Sequence, residues 1–199
     1  MVIVNVDRKI KSELKSSNFS SLFLNNCLNS KFLAIEKHEQ KIIGVCFVGG
    51  LLNSNGIEIL DEFQGKGLGK KLLKEIIIEC NKRNISFLTG VFKPTNLISI
   101  KTHLKIGYVP LFTFFYNKVE GKEIVVILPF NEKGILLAKI LTIFNIKIGN
   151  FFFALSMYFL KPFLKNIIAF SGDEMPKIDL KYSISNFEKV QTTLSKIIH

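Results

Sequence analysis

The alternation of apolar and polar positions divides the first 130 residues into short elements. An alternating stretch at the N-terminus predicts a strand, and residues 8–29 carry two short helical patterns. The later elements are predicted as strands at 32–35, 42–52 and 57–60, a helix from about 66 to 81, a strand at 85–92, a helix from 94 to about 107, and strands at 108–116 and 123–128. This order predicts a mixed, mostly antiparallel α/β sheet with helices on its faces.

The character of the sequence changes after residue 130. Residues 135–144 and 151–160 are almost entirely apolar, and the polar residues between them predict two short helices rather than one span. Pro162 interrupts the pattern, and residues 171–174 read as a loop. We therefore predict one domain over residues 1–130 and an apolar helical extension over residues 131–199.

The end of the chain carries two further signals. Residues 178–184 are a candidate strand. The capping-box sequence at 185–188 predicts a final amphipathic helix over residues 186–199. Its inward positions are Phe187, Val190, Leu194 and Ile197.

Charge limits the classes of partner. The net charge is +11, and arginine occurs only at Arg8 and Arg83. Modules that read nucleic-acid sequence depend on arginine for base edges and phosphates, so a specific nucleic-acid function is not expected. Lysine distributed along the chain suits attraction to a cofactor phosphate or an acidic lipid surface, and it is equally compatible with a lysine-rich surface of no specific purpose.

The spacing of cysteine and histidine argues against a metal site. The cysteines lie in separate apolar runs and the histidines are scattered, so we expect buried thiols and no metal. The residues concerned are Cys27, Cys46, Cys80, His38, His103 and His199. The N-terminal pattern is that of a strand and not of a signal peptide, which predicts a cytoplasmic, reduced protein.

A glycine-rich turn at residues 64–69 carries the clearest chemical signal. It follows a short apolar strand and precedes a helix, and glycines at such a turn leave backbone N–H groups open to a phosphate. The turn lacks the Lys-Ser/Thr pair of a Walker motif and the first glycine of a dinucleotide fingerprint. Four lysines follow at the start of the helix, where cations oppose the helix dipole, so an anion is expected there. They are Lys66, Lys70, Lys71 and Lys74.

Residues 59–69 resemble the acetyl-coenzyme-A-binding motif of the GNAT acyltransferases, Gln-x-x-Gly-x-Gly after a strand. The family often has proline where Asp61 stands and arginine where Gln64 stands, and glutamine is a common alternative at the second position. Residues 96–108 resemble the second family motif: an asparagine, a small residue three positions later, and then Lys-x-Gly-aromatic. The resemblance covers about residues 1–130.

The resemblance implies a GNAT-like fold and an N-acetyltransferase that moves an acetyl or acyl group from acetyl-coenzyme A (acetyl-CoA) to a primary amine by direct attack. Backbone N–H groups near Ile59 and Leu60 would hold pantetheine and polarise the thioester carbonyl, and the amides of residues 65–70 would hold the pyrophosphate. The residues implied in cofactor binding are Ile59, Leu60, Gln64, Gly65, Lys66, Gly67, Leu68, Gly69, Lys70 and Asn96.

Proton transfer needs an acid for the thiolate and a base for the ammonium. Many family members use a tyrosine as the acid, and His103 stands at that position here. An imidazole suits neutral pH, although His103 is equally compatible with packing on its helix. Glu58 and Glu62 flank the reaction strand, and Glu58 is the candidate base, although it lies on the opposite strand face from Ile57 and Ile59.

The apolar extension leaves three roles open. Residues 135–168 are compatible with packing on the domain, with a homodimer, or with contact to a membrane surface through their lysines. The alternative to an enzyme is a non-catalytic or weakly catalytic GNAT-fold binding module that acts through this tail at a membrane or a protein partner. The missing tyrosine favours that alternative.

Overall fold

The computed structural model of the chain describes residues 1–50, 52–164 and 177–198. These residues form two compact units, one of residues 1–88 and the other of residues 89–164 with 177–198. The described part of the chain is a mixed α/β fold with seven strands flanked by helices, as predicted. The predicted division of the chain at residue 130 stays a prediction, and the loop predicted at 171–174 lies outside the described residues.

The first unit contains an antiparallel sheet with helices on both faces. Its elements are β1 (Val2–Val4), α1 (Arg8–Lys15), α2 (Ser21–Leu28), β2 (Ser30–His38), β3 (Lys41–Gly49), β4 (Ser54–Ile59) and α3 (Leu68–Lys82). The strands pair in the order β1-β2-β3-β4. The β3–β4 register places Val45 opposite Glu58 and Gly44 opposite Ile59.

The two faces of this sheet are packed by different helices. On one face, α1 and α2 bury Leu14, Phe23 and Cys27 against Val45 and Phe47. On the other face, α3 buries its predicted apolar stripe, which includes Leu72, Leu73, Ile76 and Cys80. The helical spacing of that stripe is the reason why α3 forms where the sequence predicts it.

The second unit is built on a β-hairpin. Its elements are α4 (Leu97–Ile106), β6 (Val109–Asn117), β7 (Gly121–Pro129), α5 (Glu132–Leu141), α6 (Lys147–Leu164), α7 (Leu180–Ser185) and α8 (Val190–Ile198). β5 (Phe87–Phe92) begins in the first unit and ends in the second. β6 and β7 pair antiparallel from Val109 opposite Ile127 to Asn117 opposite Gly121.

Two expectations about the end of the chain are wrong. The candidate strand at 178–184 is the helix α7, because the Asp179 side chain accepts the Tyr182 N–H at 2.9 Å and caps a helical turn. The predicted capping box does not form, since Ser185 ends α7 and α8 begins at Val190. The Asn145 side chain instead accepts the Val190 N–H at 2.9 Å. Pro162, which interrupts the apolar pattern, lies within α6, since that helix continues to Leu164.

A sharp break separates α5 from α6. A 3-10 turn, Thr142–Asn145, follows α5, and the two helical arms then bend by 100°. Asn150 fixes the bend, because its buried side chain donates to the carbonyls of Thr113 and Phe144 at 2.9 and 3.1 Å. Among the described residues, no single helix meets the length and hydropathy expected of a membrane span, and only this bent pair does so jointly.

Candidate functional site

The glycine turn joins the end of β4 to the start of α3. A short 3-10 turn, Asp61–Phe63, follows β4, and two glycines then take left-handed backbone conformations. Gly65 has a φ of +75° and Gly67 a φ of +73°, and Gly67 is the N-cap of α3. In a residue with a Cβ, these angles cost conformational free energy because of steric crowding. Glycine at both positions therefore allows the chain to turn here.

The geometry of this turn suits an anion. An ideal Cβ placed on Gly65 or Gly67 would meet no atom within 4 Å, so both backbones face open space. The first N–H groups of α3 have no acceptor within the helix, and they carry the positive end of the helix dipole. The four lysines at this end of α3 are all exposed, and its first turn contains no acidic residue. A phosphate group fits this combination of open amides and cations.

Gln64 stabilises the turn through its side chain. Its amide nitrogen donates to the Ile59 carbonyl at 3.0 Å and to the Asp61 carboxylate at 2.7 Å. The side chain therefore links the end of β4 to the 3-10 turn that precedes the glycines. The sequence motif indicated a cofactor residue at this position, and the contacts show a side chain that holds the loop.

The amides of Ile59 and Leu60 differ in their orientation. The Leu60 N–H donates to the Ile43 carbonyl at 2.9 Å, so it completes the β3–β4 ladder. In an antiparallel pair the hydrogen-bonding direction alternates, so the Ile59 N–H points away from β3. Of the two amides that the resemblance implies, only that of Ile59 is directed away from the β3–β4 ladder, toward the other edge of β4.

Glu58 lies on the α2 side of β4. Its carboxylate accepts the Ser20 N–H at 2.8 Å and the Ser20 hydroxyl at 2.7 Å, and Ser20 is the N-cap of α2. Ile57 and Ile59 face α3, since the Ile57 side chain lies next to Gly69, and a Cβ on Gly44 would meet both the Ile59 side chain and that of Leu72 in α3. The alternation predicted for this strand is therefore present. The link from Ser20 to Glu58 was not predicted, because the two residues are 38 positions apart.

Asn96 caps α4 in the second unit. Its side-chain oxygen accepts the Ser99 N–H at 3.2 Å, which satisfies one of the open donors at the start of the helix. Its predicted contact with a cofactor stays a prediction.

His103 is a packed core residue. Its side chain is 3% exposed and lies between the rings of Phe92 and Tyr108, with centroids at 4.5 and 4.8 Å. The Nδ1 atom lies 2.8 Å from the Ser99 carbonyl oxygen, which only accepts, so Nδ1 carries the proton. Burial lowers the pKa of His103 below its usual 6.5, although the bond to Ser99 opposes that shift. Its role as an acid stays a prediction.

A family model described as the acetyltransferase (GNAT) family matches residues 6–108, which is just over half of the chain. The chain belongs to the GNAT acetyltransferase family. The match contains the glycine turn and Asn96, and it ends at Tyr108, the last residue of the second motif. The predicted GNAT-like fold is therefore confirmed.

Solved structures agree with this assignment. An acetyltransferase of the GNAT family from Streptococcus pneumoniae has a TM-score of 0.53 and 17% identity, over 65% of this chain and 99% of that chain. The ribosomal-protein-S18-alanine N-acetyltransferase of Escherichia coli has a TM-score of 0.51 and 18% identity, over 66% and 96%. A GNAT family acetyltransferase from Elizabethkingia anophelis with acetyl-CoA bound has a TM-score of 0.52 and 16% identity, over 65% and 97%. At these identities the likeness shows the fold alone. No curated protein matches the sequence.

Proposed function

We propose that this GNAT protein is an acetyl-CoA-dependent N-acetyltransferase whose acceptor is a primary amine. The observation that carries the proposal is the pair of left-handed glycines, Gly65 and Gly67, at the N-terminus of α3 in a chain of this family. The solved relative from Elizabethkingia anophelis has acetyl-CoA bound, which supports the same donor here. When bound, acetyl-CoA would supply the acetyl thioester.

The residues of the glycine turn would bind the pyrophosphate. The amides of residues 65–70 would donate to its oxygens, and the exposed ammonium groups of Lys66 and Lys70 would balance its charge. Gln64 would keep the turn in shape through its bonds to Ile59 and Asp61. The Ile59 N–H, which points away from β3, would contact the pantetheine arm.

Proton transfer from the amine would fall to Glu58 or to water that it orients. The carboxylate has two oxygens and the Ser20 bonds leave further lone pairs, so a base role is compatible with the observed contacts. His103 is the proposed acid by its position in the motif, and it would act in its doubly protonated form, because the Nδ1 proton is bound to the Ser99 carbonyl. Its burial and its bond to Ser99 fit a packing role equally well.

The alternative of a non-catalytic binding module is not favoured by the family match or by the intact glycine turn.

We propose a cytoplasmic location, which the three cysteines support, because each is free and buried. Burial raises the pKa of Cys80 to about 12, and it raises the pKa of Cys27 and Cys46 as well. Such thiols are unreactive, as expected for structural cysteines in a reducing compartment.

Isothermal titration with acetyl-CoA tests the proposed site. We expect the wild-type protein to bind, and Gly67→Asp to weaken binding at least about tenfold, because a carboxylate at this open position repels the pyrophosphate. The matched control is Gly121→Asp in the β6–β7 turn, where φ is +74° and a Cβ again meets no atom within 4 Å. The control should bind as the wild type does. Acetyl-pantetheine, which lacks the pyrophosphate, should bind weakly and equally to all three proteins.

Two results would reject the site assignment: no binding by the wild type, or unchanged binding in Gly67→Asp. A thiol-release assay over a panel of primary amines then tests catalysis. Tight cofactor binding with no release for any amine would support the non-catalytic alternative.

A further inference from the structure

The outward side of α5 and α6 is unusually apolar. Six large apolar side chains on these helices and on the turn between them are between 54% and 66% exposed. These residues, which we call the α5–α6 apolar face, are Leu136, Ile140, Ile143, Ile148, Phe152 and Phe159. Ile148, Phe152 and Phe159 follow helical spacing, so they lie along one side of α6.

This apolar face is not the side through which α6 packs on its unit. Asn150, Ala154 and Met157 are buried on the inner side. Phe153 contacts the rings of Phe112 and Phe114 on β6, each with a centroid distance of 4.9 Å. A surface helix of a water-soluble protein carries polar residues on its outer side, whereas α6 is apolar on both sides. The outer apolar area therefore indicates a binding surface.

Charge selects between the possible occupants. Lys133, Lys139 and Lys147 are exposed on α5 and at the start of α6, and the sequence from 132 to 164 contains a single acidic residue, Glu132, at the start of α5. Lys139 is three residues after Leu136 in α5, so the two side chains lie on the same side of that helix. Two copies of a surface with a net positive charge repel each other, whereas an anionic surface attracts both of them.

The lengths of α5 and α6 and the bend between them favour an arrangement in which both helices lie on the surface of a bilayer. The 10 residues of α5 span about 15 Å and the 18 residues of α6 about 27 Å, and both lengths are below the hydrocarbon thickness of about 30 Å. The two arms bend by 100°, and together they present apolar residues with lysines beside them. Apolar side chains on such a surface insert into the boundary between the headgroups and the acyl chains, while the lysine ammonium groups stay with the headgroups.

We propose that the α5–α6 apolar face binds the surface of an anionic phospholipid bilayer. This proposal rests on residues other than those proposed to bind acetyl-CoA, so either proposal can fail alone. It predicts an enzyme, or a binding module, that meets its partner molecules at a membrane surface.

Vesicle flotation of the full chain tests the proposal. We expect the protein to float with vesicles of phosphatidylglycerol mixed with phosphatidylcholine and much less with phosphatidylcholine alone. The variant Ile148→Gln/Phe152→Gln/Phe159→Gln should lower the apparent affinity at least about tenfold, because it removes most of the insertable area of α6. Lys139→Gln/Lys147→Gln should lower it about tenfold on the anionic vesicles only, and added salt should act in the same direction.

The matched control is Ile98→Gln/Val119→Gln. These two side chains are 83% and 91% exposed, but they lie on other elements, so the control should float as the wild type does. Far-UV circular dichroism confirms that every variant is folded.

No flotation by the wild type, or unchanged flotation in the triple variant, would overturn the proposal. Equal flotation on both lipids would overturn its electrostatic part. A dimer in sedimentation velocity that the triple variant dissociates, without vesicle binding, would assign the face to a second copy instead.

Discussion

The carboxylate of Glu58 accepts two hydrogen bonds from Ser20, one from the backbone N–H at 2.8 Å and one from the hydroxyl at 2.7 Å. Ser20 is the N-cap of α2, and Glu58 lies in β4 one residue before the end of the strand. The contact therefore ties the start of α2 to the strand that leads into the glycine turn. It also uses the residue that the sequence proposes as the general base.

Variants at these two positions separate the structural from the catalytic role of Glu58. Ser20→Ala should lower the free energy of unfolding by about 1 kcal/mol, because one bond to a partly exposed carboxylate is lost. Glu58→Gln keeps an acceptor for Ser20 but cannot take a proton, so it should lower kcat/KM at least about a hundredfold. Urea denaturation and thiol release measure the two effects. An equal, small loss of activity in both variants would show that Glu58 acts only as a tether.

The sequence predicted the order of elements over residues 1–130 because each element has a local signal. The apolar stripe of α3 repeats at helical spacing, and β4 alternates between Glu58 and the isoleucines beside it. The error at 178–184 also has a local cause. Apolar residues at 178, 180, 182 and 184 alternate as in a strand, while the Asp179 cap starts a helix. The alternation alone predicts a strand, whereas the Asp179 cap determines the helix that forms.

The sequence predicts only those parts of the site whose conformation depends on residues close together in the chain. The left-handed turn follows directly from Gly65 and Gly67, since glycine is the residue that adopts such angles freely. The hydrogen bond from the Leu60 N–H to the Ile43 carbonyl depends on the register of β3 and β4. The hydrogen bonds from Ser20 to Glu58 depend on the packing of α2 against β4. Neither leaves a trace in the spacing of residues along the chain.

Gly149 permits the close approach of α6 to the turn before it. A Cβ at this position would overlap the Ile143 carbonyl oxygen and lie 2.8 Å from its carbon, and both atoms are backbone. Gly149→Ala should therefore lower the free energy of unfolding by about 2–3 kcal/mol. Gly69→Ala is the matched control, because its Cβ would be 3.7 Å from Ile57 and the position is helical. Its stability should stay within about 0.5 kcal/mol of the wild type or rise.

Thermal and urea denaturation measure both glycine variants. Equal effects of the two substitutions would contradict the close approach of α6 to Ile143. The result for Gly69→Ala concerns stability only, since its amide belongs to the proposed pyrophosphate site.

The buried ring of His103 should make stability depend on pH. Burial lowers the pKa of His103 in the folded protein, whereas the unfolded chain takes up a proton near the usual pKa of 6.5. The unfolded state then binds more protons, so stability falls as pH drops below about 6.5. His103→Leu should be less stable than the wild type at neutral pH but lose less stability on acidification. Urea denaturation at neutral pH and near pH 5.5 measures this. An identical loss in both proteins would show that the pKa of His103 is the same in the folded and unfolded states.

Glu188 provides a second pH dependence, at a lower pH. Burial would raise the pKa of Glu188, but bonds from Lys122, Lys196 and Thr193 outweigh burial and hold the pKa at about 2. The Lys122 ammonium lies 2.6 Å from one carboxylate oxygen, and the Thr193 hydroxyl donates to the same oxygen at 2.7 Å. These contacts join β7 to α8, so they fix the last helix on the hairpin.

The sign of the effect follows from the lowered pKa. The unfolded chain takes up a proton near the usual value of 4.5, while the folded protein resists down to about 2. The contribution of Glu188 is therefore complete above about pH 5 and is lost between about pH 4.5 and pH 2. Glu188→Gln should cost more stability at neutral pH than near pH 3, and a double-mutant cycle with Lys122→Met should show a coupling energy that shrinks over the same interval. A coupling energy that is equal at both pH values would mean that the carboxylate charge contributes nothing to the attachment of α8.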